Sequence, residues 1–399
     1  MSVRRLVLLA LTGALLASCG PSEGGGEDSG PDTLAERKRE ILGSMTDRVL
    51  VPALRDFSTA ADALEAATAA YGGDPSETNR DGARAAWETA MLAWQRLEVM
   101  QIGPIGMSGV AGVTAGEDLR DEVYSWPITS SCQIDQRTVE ATHADSALLG
   151  VELVDARGLD AMEYLLFNES RENTCSTVSP INADGIWAGF TAEEIQSRRA
   201  VYAATAAGLV ATQASALLTD WETRFAGELE SAGDTSTVFD TAQAALNDLA
   251  GAMLYLDNEA RDMKLGEPAG ISGCPTAVCP EALELPLAAR SREAVTENVR
   301  AFSLLYHGGA PDDPMSLGLH DLLLDLGQDT LATDMAAAIA AAITALEAIE
   351  GALGTAIEDD PAAVMSAYEA VGEAQRLFKV DVVTALDLEP STPRVGDND

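Results

Sequence analysis

The sequence predicts an all-α protein of two packed helical bundles, preceded by a signal peptide and a flexible tether. Three observations predict it. Alanine is abundant while aromatic residues are only 5% of the 399 positions, a balance that favours packed helices over sandwiched sheets. Apolar residues recur every three or four positions through long segments. Strand signals are few. A hydrophobic share of 47% is enough for a sizeable core in spite of a formal net charge of −39. That charge repels phosphate backbones, so nucleic acid is not an expected partner.

The N-terminus reads as an address. Arg4 and Arg5 form a positive region, and Leu6 to Ala17 is an apolar run too short to span a bilayer but suited to a secretory signal. It ends in Leu16-Ala17-Ser18-Cys19, which resembles a bacterial lipobox, whose cysteine is lipidated and becomes the mature N-terminus. Gly20 rather than aspartate follows, so the resemblance implies an outer-membrane lipoprotein, periplasmic or surface exposed. Residues 1–18 are then the signal peptide, and 19–32 the lipidated Cys19 with a flexible acidic tether. Losing Arg4 and Arg5 takes the charge to −41.

About 367 residues follow the tether, which fits two domains: an N-terminal bundle over 33–190 and a C-terminal bundle over 191–399. Thr33-Leu-Ala-Glu36 has a capping-box pattern and opens a helix running to about Ala70, broken by Tyr71-Gly-Gly-Asp-Pro75. A second helix carries Trp87, Met91, Trp94 and Leu97 and stops before Gly103-Pro104. Ile105 to Ile134 is Gly-rich and reads as loop, with short helices expected near 139–149 and 159–167. Thr191 and Glu194 form another capping box, with Phe190 and Ile195 placed as a hydrophobic staple, and that helix reaches about Glu230. Val238 to Lys264 is the next helix, and Gly266 to Pro280 a Gly/Pro/Cys loop. Helices resume near 287–306 and 317–326. The clearest pattern is Leu331, Met335, Ile339, Ile343, Leu346, Ile349, Leu353 and Ile357, repeating every three or four residues. Asp360-Pro361 then supplies an N-cap and a first-turn proline.

Cys132, Cys175, Cys274 and Cys279 remain after export, and an even count in that compartment is expected to pair. Four cysteines allow three pairings. Cys274 and Cys279 enclose only four residues and could close locally, which would leave Cys132 with Cys175. The rival, a thiolate metal site, needs reduced sulfurs at closer spacing.

There is no His-Glu-x-x-His helix, no Gly-x-Ser-x-Gly elbow, no Walker loop and no haem-attachment motif. Only His143, His307 and His320 exist, which leaves little room for a histidine-rich zinc centre, and each reads as a capped or partly buried side chain. Trp87, Trp94 and Trp126 read as core, with Trp126-Pro127 shaping a loop. Catalysis would have to rest on carboxylates.

The best candidate site is the segment from Ala156 to Phe167. If helical, it puts Asp160 and Glu163 on one face beside the apolar stripe of Leu159, Met162 and Leu166. Carboxylates bordering a core are costly to desolvate unless a cation or a donor meets them, and paired oxygens suit hard or borderline metals. Spacing alone is weak, since roughly ten acidic pairs at this spacing arise by chance in so acidic a chain.

The surrounding words are more specific. Gly158, Glu163 and Tyr164-Leu165-Leu166-Phe167 resemble the imelysin family, whose members carry Gly-x-His-x-x-Glu followed by Tyr-Leu-Leu-Phe. Other landmarks agree in order: Trp94, Glu98 and Gly103-Pro104, then Trp126-Pro127, then Glu259, Lys264-Leu265-Gly266 and Pro268, then Asn298, Leu305-Tyr306 and Gly308, and a closing Gly396-Asp397-Asn398-Asp399. The family histidine is Asp160 here, which shifts preference toward harder metals such as Fe(III), Ca or Mn. The resemblance implies an iron-uptake protein that binds a metal ion, iron in the family's reading, with Asp160, Glu163 and Glu98 as its ligands. It also implies two alternatives. One is a partner or scaffold lipoprotein, serving an outer-membrane receptor or redox protein, with a vestigial site. The other is a metal-dependent peptidase, which the missing histidine disfavours.

Overall fold

The computed structural model describes residues 31–108, 114–140 and 142–390. The signal peptide, Cys19, the tether up to residue 30 and the closing Gly396–Asp399 block lie outside the described residues. Among the described residues every regular element is helical.

α1 (Pro31–Met45) and α2 (Val51–Gly73) join through a π-helical turn, Thr46–Leu50. α3 (Glu77–Leu97) follows, then the short α4 (Leu119–Val123), α5 (Ser131–Glu140), α6 (Ser146–Leu149), α7 (Gly158–Phe167) and α8 (Pro180–Ala183). α9 (Ala192–Asp220) runs through a second π turn into α10 (Ala226–Glu230). α11 (Ala242–Met253) leads to a longer π-helical segment, Leu256–Gly266. The chain continues with α12 (Ser291–His307), α13 (Leu319–Asp325), α14 (Asp329–Glu347), α15 (Leu353–Asp359) and α16 (Pro361–Arg376). Wide turns over Leu377–Val382 then lead to α17 (Val383–Ala385).

Local chemistry explains several of these ends. The Thr191 hydroxyl accepts from the Glu194 N–H while the Glu194 carboxylate accepts from the Thr191 N–H, so the expected capping box is formed. The Asp360 side chain caps α16 ahead of Pro361, and α2 stops at Gly73 as the Gly-Gly-Asp-Pro break requires. α1 differs from expectation. It begins at Pro31, two residues ahead of the expected Thr33.

α2 packs between α9 and α3, and α7 lies against α9 and α3. α12, α14, α16 and the π segment form the second bundle, and α3 also packs on α12 and so joins the two. α9 follows the boundary expected at 190/191, yet it lies along α2. Its buried face is largely alanine (Ala200, Ala203, Ala207, Ala211, Ala214), which allows close approach. At the crossing, Gly72 has no room to spare: a Cβ there would sit 3.2 Å from the Ala204 side chain. α1 reaches the other way, to α11 and α13. One apolar cluster runs through both bundles, and a small second one holds Val139, Ile181, Trp187 and Ile195.

Both expected disulfides are formed, Cys132–Cys175 and Cys274–Cys279. The first fastens α5 to the loop before α8, beside the small cluster. The second closes a loop of the Gly/Pro/Cys stretch.

A buried carboxylate centre at the junction of the bundles

Asp160 and Glu163 both lie on α7, and α7 is buried from Gly158 through Leu166. Its position depends on Gly158. The backbone there has φ +85°, and a Cβ would come within 2.6 Å of the Val123 carbonyl oxygen. α3 meets α7 through Trp87, whose indole N–H donates to the Leu159 carbonyl at 2.7 Å. Trp87 and Trp94 are fully buried, as expected of core residues, whereas Trp126 is only partly buried against the same core.

Asp160 is 4% exposed, and its Oδ2 accepts from the Ser125 and Thr129 hydroxyls at 2.6 and 2.5 Å. Burial raises its pKa, and the two hydroxyls oppose that rise. Glu163 accepts through Oε1 from the backbone N–H groups of Leu287 and Ala288, at 2.9 and 2.8 Å. Burial dominates there too and lifts it to about 7. The two N–H donors pull it down, and the charges of Glu284 and Asp160 push it further up.

Glu98 caps the end of α3 and is fully buried. It does not sit on a solvated helix face. Oε1 accepts from the Trp94 indole at 2.6 Å, and Oε2 accepts from the Tyr255 hydroxyl at 2.7 Å and pairs with Arg120 at 3.3 Å. Arg120 also donates to the Trp126 carbonyl and pairs with Asp121.

Between these groups lies a second ion pair. Glu284 Oε1 accepts from Lys264 at 2.9 Å, from the Tyr124 hydroxyl at 2.7 Å and from Gln95 at 2.9 Å. Lys264 donates in turn to Gln95 Oε1 and Asn298 Oδ1, with the rings of Trp126 and Tyr255 within 5.6 and 5.2 Å. Tyr124 binds the groups into one site: burial raises its pKa most, and Glu284, Glu98 and Asp160 all add to the shift. Glu259, on the π segment, is 2% exposed; burial lifts it to about 7, with Arg120 and Glu98 acting on it in opposite senses.

The region thus holds five buried carboxylates (Glu98, Asp160, Glu163, Glu259, Glu284) and two buried cations; Arg120 pairs with Glu98 and acts on Glu259, and Lys264 pairs with Glu284. Three carboxylate oxygens, Asp160 Oδ1, Glu259 Oε2 and Glu284 Oε2, are buried without a well-formed hydrogen bond, although the N–H groups of Asp160 and Ala161 lie close enough to the Asp160 carboxylate, and that of Glu259 to its own, to stabilise their charged forms. Such atoms are costly in a low-dielectric interior. Among the described residues no three His, Cys, Asp or Glu side chains are gathered as a metal-holding group. The structure brings Asp160 and Glu163 to one region and keeps Glu98 on its own partners beside it.

Sequence reasoning did not single out Arg120, Tyr124, Tyr255 or Glu284. Lys264 carried a signal of its own, since the chain has only three lysines (Lys38, Lys264, Lys379) and one of them is fully buried. The histidines lie elsewhere. His143 is hydrogen-bonded to the Arg137 carbonyl and stacked on Tyr202, and His307 is bonded to the Ser303 carbonyl.

Fold and centre together define an all-helical, two-bundle protein with an acidic interior where its bundles meet. The sequence profile of the imelysin family matches residues 50–378, and the chain belongs to that family. It is 23% identical over 235 residues to iron-regulated protein A of Synechococcus elongatus, a match covering 57% of this chain and only 54% of that relative. Among solved structures, a candidate iron-regulated protein A precursor from Parabacteroides distasonis superposes with TM-score 0.69 at 18% identity, covering 92% of this chain and 98% of the other. An imelysin-like protein from Psychrobacter arcticum superposes with TM-score 0.66 at 18% identity, over 89% and 97% of the two chains. These likenesses establish the fold.

Proposed function

We propose that the protein is an iron-related lipoprotein of the outer membrane, whose buried carboxylate centre takes up a metal cation in the service of iron uptake. The observation that carries this reading is the trio of buried, unpartnered carboxylate oxygens in a centre with more acids than bases. Carboxylate oxygen is acceptor-only when ionised, so a bound cation would stabilise Asp160 Oδ1 and Glu284 Oε2, whereas Glu259, lifted to about 7, can also meet its need by holding a proton. The iron-regulated relative supports iron as the metal of interest.

The donor set is all oxygen, which suits a hard ion. Asp160, with a free Oδ1, and Glu163 are the residues that would hold it. Glu98 has both oxygens engaged and serves to anchor Arg120 and Tyr255 beside them. A bound ion supplies positive charge to the orphaned oxygens. The hydroxyls of Ser125 and Thr129 and the N–H groups of Leu287 and Ala288 hold the two carboxylates in place.

A second reading, a scaffold for an outer-membrane receptor or redox protein with a vestigial centre, is favoured by one observation: no three acidic or imidazole side chains among the described residues form a ready-made ligand group. Anomalous diffraction from crystals soaked in Mn(II) and Fe(II) separates the two. A peak between Asp160 and Glu163 supports the first reading; a flat map there, with a receptor co-purifying, supports the second. Membrane anchoring rests on the Leu-Ala-Ser-Cys19 motif and is tested by loss of palmitate labelling in Cys19→Ala.

A further inference from the structure

A second site of opposite charge lies at the far end of α7. A cavity of about 310 Å³ is lined there by Arg80, Arg84, Arg171 and Arg199, with Glu169 the one acidic side chain in its wall. The chain as a whole has 25 basic and 64 acidic side chains, so four arginines around one opening run against its composition. Arg80 and Arg84 stand one turn apart on α3, Arg171 is in the loop after α7, and Arg199 is on α9.

Part of this set has structural work. Arg84 donates through Nε to the Leu166 carbonyl, and Arg199 through Nη1 to the carbonyls of Asn168 and Ser170, so both cap the C-terminal end of α7. Arg199 also pairs with Asp135 behind the wall, at 3.3 Å. Arg171 donates one nitrogen to the Phe190 carbonyl.

What remains is donor capacity without acceptors. Arg199 is 4% exposed, and its Nε is buried with no partner. The Nε of Arg80 is in the same condition. Among the described residues neither Arg80 nor Arg171 pairs with a carboxylate. Arg84 shows what the cavity accepts: its Nη2 holds Glu169 at 3.2 Å, and that glutamate side chain is 69% exposed at the rim. A guanidinium is planar and matches a carboxylate with two parallel donors. The volume is at the lower end of the range for small-molecule sites, about 300 to 1,000 Å³.

We propose that this cavity binds a small polycarboxylate anion, held by Arg80 and Arg171, with Arg84 exchanging Glu169 for the ligand and the buried Arg199 adding positive charge from the wall. It is independent of cation uptake at the interior centre. The test is isothermal titration of citrate, succinate and inorganic phosphate into the full chain, freed of metal beforehand so that chelation at the other centre does not contribute. Citrate is expected to bind at one site, more weakly as salt rises, with succinate weaker than citrate. The R80Q/R171Q variant should lose at least tenfold in citrate affinity, with thermal unfolding lowered by no more than the loss of the Arg171 bond to the Phe190 carbonyl. R80Q alone, which removes no hydrogen bond of the fold, should lose severalfold. Absence of carboxylate binding, preference for phosphate, or unchanged citrate affinity in both variants would overturn the proposal.

Discussion

Lys264 Nζ lies 2.9 Å from Glu284 Oε1, and both side chains are sealed from solvent. The pair ties the π segment to the loop ahead of α12, and through Gln95 and Asn298 to α3 and α12. Breaking one half of such a pair leaves a bare charge in the interior. Lys264→Met is therefore expected to cost about 3–5 kcal/mol. The double variant K264M/E284Q should regain much of that loss, because no unpaired charge is left. Urea unfolding of the two variants and the wild type checks this; a loss under about 1 kcal/mol in K264M would contradict it.

Glu259 sets a pH dependence. Its pKa in the folded chain is about 7, above the 4.5 of a free glutamate, because burial disfavours the anion. The folded state thus holds this proton more tightly than the unfolded state. The contribution to stability is fully present below about pH 4.5 and is lost as pH rises through about 7. Glu259→Gln should pull ahead of wild type across that interval, by up to ~3 kcal/mol above pH 7. Stability curves that stay parallel from pH 4 to 8 would contradict this.

Gly158→Ala tests the seat of α7. A side chain at φ +85° is strained, and its Cβ would meet the Val123 carbonyl at 2.6 Å. A loss of about 1–3 kcal/mol is expected in thermal unfolding, and an unchanged Tm would show that the turn can relax.

The two disulfides should differ in weight. Cys132 and Cys175 are 43 residues apart and Cys274 and Cys279 only five, so the first restrains the unfolded chain more. C132S/C175S is expected to cost about 4 kcal/mol and C274S/C279S roughly half that. Equal losses in denaturant unfolding would argue against the difference in loop length as the cause.

The helices were legible where their signals are local. Thr191 and Glu194 announce α9, Asp360-Pro361 announces α16, and the spacing of Asp160 and Glu163 put both on α7. What surrounds those two acids was not legible. Arg120 and Tyr124 come from the Gly-rich stretch that reads as loop, and Glu284 from the segment after a disulfide loop. Their meeting depends on contacts 160 residues apart, such as Tyr124 with Glu284. The π-helical turns were missed as well, because one wide turn leaves the three- and four-residue spacing almost unchanged. Glu98 illustrates the limit. Its place at the end of α3 was readable, but its burial against Arg120 and Tyr255 was not.

Asp160 and Glu163 are the residues proposed to take up a cation. Calorimetric titration of the full chain with Fe(III), Fe(II), Mn(II), Ca(II) and Zn(II) tests this most directly. Saturable binding of at least one hard cation is expected, abolished when Asp160→Ala and Glu163→Ala are combined. A flat titration with every ion, or equal binding by that double variant, would contradict it.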